Sequence, residues 1–127
     1  MKISKLAVFA VAVLVSGRAS ALNPEGFKVV STGHLVELCS VSTDDPVYNV
    51  AIAFCYGYID AVMDYHAALT AGDRYSPIAC PEAEVSRQEV VTVLLDWSKG
   101  NSGNMENETP VHGVMRAASA KWPCASS

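Results

Sequence analysis

Two carboxylates and an imidazole come close together near the middle of the chain. Asp60 and Asp64 are four residues apart, a spacing that places both on one face of a helix, and His66 follows. Such a pair of carboxylates can act as a general acid and base or hold a metal ion. The metal-binding spacings H-x-x-x-H, H-E-x-x-H and D-x-D-x-D-G are absent from the sequence. We therefore expect a solvated acidic edge here rather than an active site.

The remaining histidines and nucleophiles form no catalytic set. His34 and His112 are isolated near helix starts, so we expect them on the surface or in helix caps. The chain contains no G-x-S-x-G motif and no phosphate-binding loop. Trp97 and Trp122 end apolar helical stripes and are expected in the core. The sequence thus predicts that the protein is not an enzyme and binds no metal ion and no cofactor.

The first 21 residues have the organisation of a secretory signal peptide. Two lysines in Met1–Lys5 precede the apolar run Leu6–Val15, and Ala19-Ser20-Ala21 matches an A-x-A cleavage site. A transmembrane anchor is the alternative, but ten helical residues extend only about 15 Å, half of a hydrocarbon core of roughly 30 Å. We therefore predict cleavage after Ala21, a mature domain over residues 22–127, and a periplasmic location.

The composition is that of one folded, acidic domain. The 127 residues are 50% hydrophobic and 17% charged, which excludes an intrinsically disordered chain. Removal of residues 1–21 lowers the basic residues from 9 to 6 against 13 acids, a formal net charge of −7. This charge argues against nucleic-acid binding. It suits a basic protein partner, although it could also serve solubility alone.

All four cysteines follow the predicted cleavage site, at Cys39, Cys55, Cys80 and Cys124. An even number of cysteines in a small exported domain indicates two disulfides and leaves no free thiol for catalysis. Because no C-x-x-C motif is present, a zinc ribbon or a thioredoxin-like redox site is poorly supported. Three pairings of the four cysteines are possible from their number alone.

Apolar residues recur with helical periodicity, and no strand-like alternation exceeds four residues. The second and longest helix has an apolar stripe made of Ala51, Cys55, Tyr58, Val62 and Leu69, which is widened by Phe54, Ile59 and Tyr65. So broad an apolar face predicts a central helix, with Cys55, Tyr58 and Val62 buried. Gly57 inside it predicts the close approach of another backbone. The fold class is therefore all-α, a small bundle of about four helices stapled by two disulfides. The predicted helices run from Thr32 to about Ser42, over Val47–Leu69, from Ser86 to Lys99, and from Pro110 to Trp122.

Local signals mark several helix ends. Ser86-Arg87-Gln88-Glu89 has the form of a capping box. Thr109-Pro110 combines an N-cap with proline in the first turn, and Lys99-Gly100 is typical of a C-terminal cap. For the second helix, Thr43-Asp44-Asp45-Pro46 predicts an aspartate cap with Pro46 as the first helical residue.

The order of the helices favours one cysteine pairing. Cys39 ends the first helix and Cys55 is about two turns into the second, so a short reversal brings them together. Cys80 precedes the third helix and Cys124 follows the fourth, and these ends meet if the two helices are antiparallel. We favour Cys39–Cys55 and Cys80–Cys124 over the other two pairings.

Several short segments, taken in order, carry a family resemblance. They are Thr32-Gly33-His34-Leu35 with Cys39, Cys55-Tyr56-Gly57-Tyr58-Ile59-Asp60 with Asp64, Cys80-Pro81, Gln88 with Val91, and Pro110 followed by Ala117-Ala118 and Trp122-Pro123-Cys124. In this order they resemble the Tai-type periplasmic immunity proteins, which neutralise the amidases of type VI secretion. The resemblance covers nearly all of the mature chain.

The resemblance implies a small helical domain, often a homodimer, that binds a peptidoglycan amidase toxin and blocks its active-site cleft. The toxin would be a cysteine hydrolase of the NlpC kind, and the immunity protein would catalyse nothing. One departure is Lys99–Glu108, which is longer, richer in glycine and more acidic than the compact link of the family. A general envelope-stress or chaperone-like helical protein is the alternative function.

The departing segment is our candidate for the toxin contact. We expect an exposed, flexible loop here, because such a loop can enter a cleft that a flat helix face cannot. Met105 would supply an adaptable apolar anchor, and Glu106 and Glu108 would meet basic groups at the rim of the cleft. A solvated linker that touches nothing is the alternative. The candidate partner-binding residues are Asn101, Asn104, Met105, Glu106 and Glu108.

Overall fold

The computed structural model describes residues 28–125, which fold into four α-helices. Within this range there is no strand, and no helix is both long and apolar enough to cross a membrane. The expectation of an all-α fold with about four helices and two disulfides is confirmed. The predicted signal peptide, residues 1–21, lies outside the described residues. The helices are α1 (Thr32–Cys39), α2 (Tyr48–Thr70), α3 (Arg87–Lys99) and α4 (Pro110–Lys121), with a 3-10 turn at Ser102–Asn104 before α4.

The core forms where α2 packs against α1 and α3, while α4 packs against α3 and α1. Cys55 and Ile59 of α2 are fully buried, together with Leu35 of α1 and Leu94 of α3. Val114 of α4, only 1% exposed, completes this contact. A single apolar cluster therefore receives side chains from all four helices.

The inward face of α2 differs in part from the predicted one. Cys55 and Val62 are buried as expected, but Tyr58 is only half-buried, and Ile59 occupies the centre instead. Leu69, assigned to the same stripe, is 39% exposed. The buried residues follow the spacing i, i+4, i+8, i+11 from Ala51, and Tyr58 lies at the edge of that stripe, about 55° around the helix from its centre. The prediction that Tyr58 is enclosed is therefore wrong.

Two of the four helices begin with the residues that their sequences predict, and a third begins with an additional serine cap. Ser86 and Glu89 form a reciprocal capping box at the start of α3. Thr109 and Pro110 open α4 as its N-cap and first helical residue. At the start of α1, the Ser31 hydroxyl accepts a hydrogen bond from the His34 N–H at 3.2 Å, although this cap was not predicted.

The start of α2 differs from the prediction of an aspartate cap followed by Pro46 as the first helical residue. Its N-cap is Val47, which has no side chain able to accept a hydrogen bond, and Pro46 precedes the helix. The carboxylate of Asp45 accepts the N–H of Val47 at 2.9 Å, which stabilises the turn one residue before the helix. Asp45 therefore closes a local turn rather than capping the helix, because its side chain reaches a donor only two residues ahead.

The two disulfides join helix ends that are distant in sequence. Cys39–Cys55 links the end of α1 to α2, and both of these residues are buried. Cys80–Cys124 links the segment before α3 to the residues after α4. This is the pairing that the helix order favours, and the described residues include no free cysteine. Loops of 16 and 44 residues correspond to about 3 and 4 kcal/mol of stabilisation by chain entropy.

Gly57 does not serve the purpose predicted for it. A Cβ added at this position would meet nothing within 4 Å, so no backbone from elsewhere in residues 28–125 approaches it. The glycines that do meet another element are Gly33 of α1 and Gly113 of α4. The residue against Gly113 is Thr32, and the residue against Gly33 is Glu106.

Candidate functional site

The structure separates the carboxylates and imidazole that the sequence placed together. Asp60 forms an ion pair with Arg87 of α3, at 2.9 Å between carboxylate and guanidinium. Asp64 is exposed, while the Nε2 of His66 accepts the backbone N–H of Ile78 at 3.0 Å. His66 thus holds the segment after α2 against the helix instead of joining a proton relay. Asp64 lies on the surface as expected, whereas Asp60 stabilises the contact between α2 and α3.

The other histidines also show no shared site. His34 is half-buried in the first turn of α1, and His112 is exposed on α4. No group of three or more histidine, cysteine or acidic side chains in residues 28–125 is arranged to hold a metal ion. The electrostatic features of this part of the chain are therefore surface charges and ion pairs.

The segment between α3 and α4, proposed for the partner contact, is held against the start of α1. The carbonyl of Met105 accepts the N–H of Gly33 at 3.0 Å, and the carbonyl of Glu108 accepts the N–H of Thr32 at 2.8 Å. These bonds satisfy two of the N–H groups that the first turn of a helix leaves unpaired. The segment is therefore part of the folded frame, and the expectation of a freely flexible loop is wrong.

The predicted residues of this segment differ in how much they offer a partner. The side-chain amide of Asn101 donates to the carbonyl of Trp97 at 2.8 Å and so ends α3. Met105 is half-buried against the fold, and the side chain of Asn104 is outside the described structure. Glu106 is exposed, with its carboxylate over Gly33 at the start of α1. Of the four whose side chains the structure describes, only Glu106 thus has the accessibility expected of a contact residue.

Glu108 has an internal role. Its side chain is 11% exposed and accepts a hydrogen bond from Arg116 at 2.9 Å. The Arg116 guanidinium also lies 5.3 Å from the centre of the Trp97 ring, a cation–π distance. Arg116 therefore joins α4 to α3 and to the segment between them. The second carboxylate oxygen of Glu108 is buried without a partner, so this acid is poorly placed to reach a basic group on another protein.

Two grooves cross the surface of the bundle. One, of about 530 Å³, runs between α3 and α4 and is lined by Trp97, Trp122 and Asp96 among others. The second, of about 290 Å³, lies between α2, α4 and the segment before α3; we call it the α2–α4 groove. Its walls include Met63, Met115 and Val85. Both tryptophans pack on the core as expected and also form groove walls.

Large apolar side chains towards the C-terminal end of α2 and in the loop after it are exposed, which the sequence did not predict. Tyr65 is 63% exposed, Leu69 39%, and Tyr75 and Ile78, in the loop after α2, 52% and 55%. Helical periodicity had assigned Tyr65 and Leu69 to the buried face. The apolar stripe of α2 is wider than the three helices packed on it can cover. The sequence feature that could have predicted this exposure is the width of the apolar face of α2, which exceeds what the packed core can bury.

Comparisons with known proteins give one match. The model of the Rap1a immunity proteins matches residues 31–124 of the chain. No curated protein and no solved structure matched significantly. The matched range begins at the cap of α1 and ends at Cys124, so it includes all four helices and both disulfides. The chain therefore belongs to the Rap1a immunity protein family, a Tai-type family of type VI secretion immunity proteins.

Proposed function

We propose that this protein protects the periplasm of its cell by binding and inhibiting a peptidoglycan amidase delivered by type VI secretion. Family membership over residues 31–124 carries the proposal, since the family suggests a role in immunity to type VI effectors. It also suggests a non-enzymatic inhibitor. The resemblance described above supplies the class of toxin, a cysteine hydrolase that cuts peptidoglycan peptides.

Two features support a periplasmic site of action. The disulfides Cys39–Cys55 and Cys80–Cys124 suit an oxidising compartment. The sequence of residues 1–21 has the charged start, apolar run and small-residue end of a signal peptide. An amidase that acts on peptidoglycan would meet its inhibitor in that same compartment.

One proposed contact with the toxin is the exposed pair Glu106 and Asn107 in the segment Asn101–Glu108, which we call the rim of this segment. Glu106 and the neighbouring Asn107 are exposed, while Met105 and Glu108 anchor the segment to α1 and α4. Such an anchored segment loses little conformational freedom on binding, which favours affinity. The acidic side chain of Glu106 suits basic groups around a toxin cleft.

A homodimer is part of the proposal, with two copies meeting across the first half of α2. Ala53, Gly57 and Ala61 are exposed small residues at spacing i, i+4, i+8, and Val50 beside them is 41% exposed. The open space over Gly57 would let a second helix approach closely. Gly57→Leu should then separate the copies, whereas a wild-type protein that elutes as a monomer in light-scattering chromatography would contradict the dimer.

The function can be tested in a bacterial host that exports the candidate amidase to its periplasm. Full-length protein should restore growth, and a version lacking residues 1–21 should not, because it would stay in the cytoplasm. Purified protein should also inhibit peptidoglycan cleavage at a fixed ratio to the enzyme. Lysis of cells that contain the oxidised, exported protein would contradict the proposed function. Protection against unrelated denaturing stress without amidase binding would instead favour the chaperone-like alternative.

A further inference from the structure

The α2–α4 groove has an apolar interior and an acidic edge. Met63, Val85 and Met115 line it together with Trp122. Asp64 and Glu84 lie at the same groove, and no lysine or arginine is among its lining residues. The groove therefore combines an apolar wall with two carboxylates.

Three acids of the described residues form ion pairs within the fold, whereas the two carboxylates of the groove do not. Asp60, Asp96 and Glu108 each pair with a basic side chain of the chain itself. Asp64 and Glu84 have no such ion pair within residues 28–125. Their charge is thus available to a cation from outside.

One exposed apolar residue lies beside the groove. Ile78, 55% exposed, is brought to this end of α2 by the hydrogen bond from its N–H to His66, which itself lines the groove, as does the next residue, Ala79. Tyr65 and Leu69 lie on the other side of α2, because the lining residues Met63, Asp64, His66 and Ala67 occupy the opposite face of the helix. Burial of the Ile78 side chain against a partner would be favourable.

The loop that carries Ile78 is fixed rather than loose. The N–H of Cys80 donates to the carbonyl of Trp122 at 2.9 Å, and the Cys80–Cys124 disulfide ties the same point to the C-terminal end of α4. With the bond to His66, the segment is held at both Ile78 and Cys80. This segment is therefore already ordered in the free protein, so binding a partner would cost little further conformational entropy.

We propose that this surface docks the toxin, with a lysine or arginine side chain of the toxin in the α2–α4 groove. The inference rests on the proposed function and adds the place and the chemistry of the contact. Lysine and arginine combine an apolar stem with a cationic tip. The stem would lie along Met63 and Met115 while the tip pairs with Asp64 or Glu84. Ile78 would pack against apolar side chains of the toxin beside that cation.

Binding to an inactive amidase that lacks its catalytic cysteine tests the proposal. The probe is a purified cysteine amidase of type VI secretion from the same organism, and the readout is Kd at low and high salt. Asp64→Asn with Glu84→Gln should raise Kd about tenfold or more at low salt and reduce its salt dependence. The matched control is Glu37→Gln with Asp44→Asn, which makes the same change of charge at exposed acids elsewhere.

A second pair of variants tests the apolar part. Ile78→Ser should weaken binding, whereas Val30→Ser should not, although both side chains are 55% exposed in the wild type. Thermal melts of each variant show whether the fold is retained. Asp64→Asn and Glu84→Gln remove the charge but keep the shape of each side chain, so we expect them to fold like the wild type.

The outcomes separate the two proposals. If the wild type fails to bind the amidase, the proposed function fails and this contact fails with it. If the wild type binds, and the carboxylate and Ile78 variants bind equally well, the docking surface is wrong while the function stands. If these variants change only self-association in sedimentation, the surface is a contact between copies, and the proposed occupant is wrong.

Discussion

Gly113 of α4 lies directly against Thr32, the first residue of α1. A Cβ at position 113 would be 2.8 Å from the Thr32 Cβ and nearer still to its methyl and hydroxyl groups. Thr32 cannot move aside, because it is fully buried and its hydroxyl donates to the carbonyl of Thr109 at 3.0 Å. The missing side chain at Gly113 is therefore what allows α1 and α4 to touch.

Gly113→Ala should lower the free energy of unfolding by about 1 to 3 kcal/mol, the usual cost of overpacking a tight contact. Denaturant unfolding monitored by circular dichroism measures this change. Gly72→Ala is the control, because a Cβ there meets nothing within 4 Å and no glycine of the described chain has positive φ. It should leave stability unchanged or raise it by about 0.5 to 1 kcal/mol. Equal effects at both positions would show that α1 and α4 are not in close contact.

The close contacts at Gly33 and Gly113 could not have been predicted from the sequence. The sequence pointed instead to Gly57, which interrupts a long apolar helix, yet a Cβ added there would meet nothing within 4 Å among the described residues. The contact at Gly113 depends on how α1 crosses α4, and the bond from Thr32 to Thr109 spans 77 residues. Helical periodicity describes a face of one helix and contains no information about which other helix covers it.

Ser86→Ala should destabilise the protein by about 1 kcal/mol, because Ser86 caps α3. The Ser86 hydroxyl accepts the N–H of Glu89 at 3.3 Å, and the Glu89 carboxylate accepts the N–H of Ser86 at 2.9 Å. The expected result is a melting temperature lower by about 4 to 8 °C for a domain of this size. Ser86→Thr, which keeps a capping hydroxyl, is the matched control. A loss as large in Ser86→Thr as in Ser86→Ala would exclude the capping explanation.

The same capping box predicts a pH dependence. Hydrogen bonds from the backbone and then the hydroxyl of Ser86 lower the pKa of Glu89 below its ordinary value of 4.5. Because the folded pKa is depressed, the stabilisation is fully present above the unfolded pKa and is lost as pH falls through the folded pKa. The stability difference between wild type and Glu89→Gln should therefore be largest near neutral pH and shrink in acid. A difference that stays constant from pH 7 to pH 2 would contradict the assignment.

Capping signals were predictable where they involve residues next to one another, as with Ser86 and Glu89 or Thr109 and Pro110. The hydrogen bonds between Ser86 and Glu89 span three residues and form in any helix that starts there. Thr109 forms no side-chain capping bond, but Pro110 suits the first helical position because it has no N–H to satisfy. The anchoring of Met105 and Glu108 to α1 was missed because it joins a polar, glycine-containing segment to a helix far away in sequence. The composition of that segment indicates the absence of regular structure, but it does not indicate the absence of contacts.

The disulfides should differ in their resistance to reduction. Cys39 is 6% exposed and Cys55 is fully buried, whereas Cys80 and Cys124 are both half-exposed. A thiolate must reach sulfur to exchange, so Cys80–Cys124 should be reduced first under mild conditions without denaturant. Alkylation followed by peptide mass spectrometry measures the order. Labelling of Cys39 and Cys55 before the other pair would contradict the burial of this bond.

Removing each bond separately should also cost stability. Cys80→Ser with Cys124→Ser opens the longer loop, for which chain entropy predicts about 4 kcal/mol. Cys39→Ala with Cys55→Ala opens the shorter loop but also removes buried sulfur atoms from the core, so its cost should exceed the entropic value of about 3 kcal/mol. Denaturant unfolding of oxidised variants gives both values. A cost below 1 kcal/mol for either pair would show that the bond contributes little to the fold.

The last prediction concerns the segment Asn101–Glu108. Replacing the whole segment by glycine and serine should lower the melting temperature, because it would remove the Asn101 cap of α3 and the half-buried Met105. A sharper variant is Glu106→Ser with Asn107→Ser, which changes only exposed side chains and leaves both anchors in place. Its unfolding free energy should remain within about 0.5 kcal/mol of the wild type.

If the rim of this segment enters the toxin cleft, Glu106→Ser with Asn107→Ser should lose protection against the exported amidase while staying folded. The matched control is Glu37→Ser with Thr43→Ser, which likewise removes one acid and one neutral polar side chain at exposed positions, here on α1 and in the loop after it. Protection should survive in the control, since neither residue belongs to a proposed contact. If the rim variant protects as well as the wild type, the segment only connects α3 to α4 and braces α1. The toxin contact would then depend on the α2–α4 groove, where Asp64 and Glu84 carry charges that the fold does not neutralise.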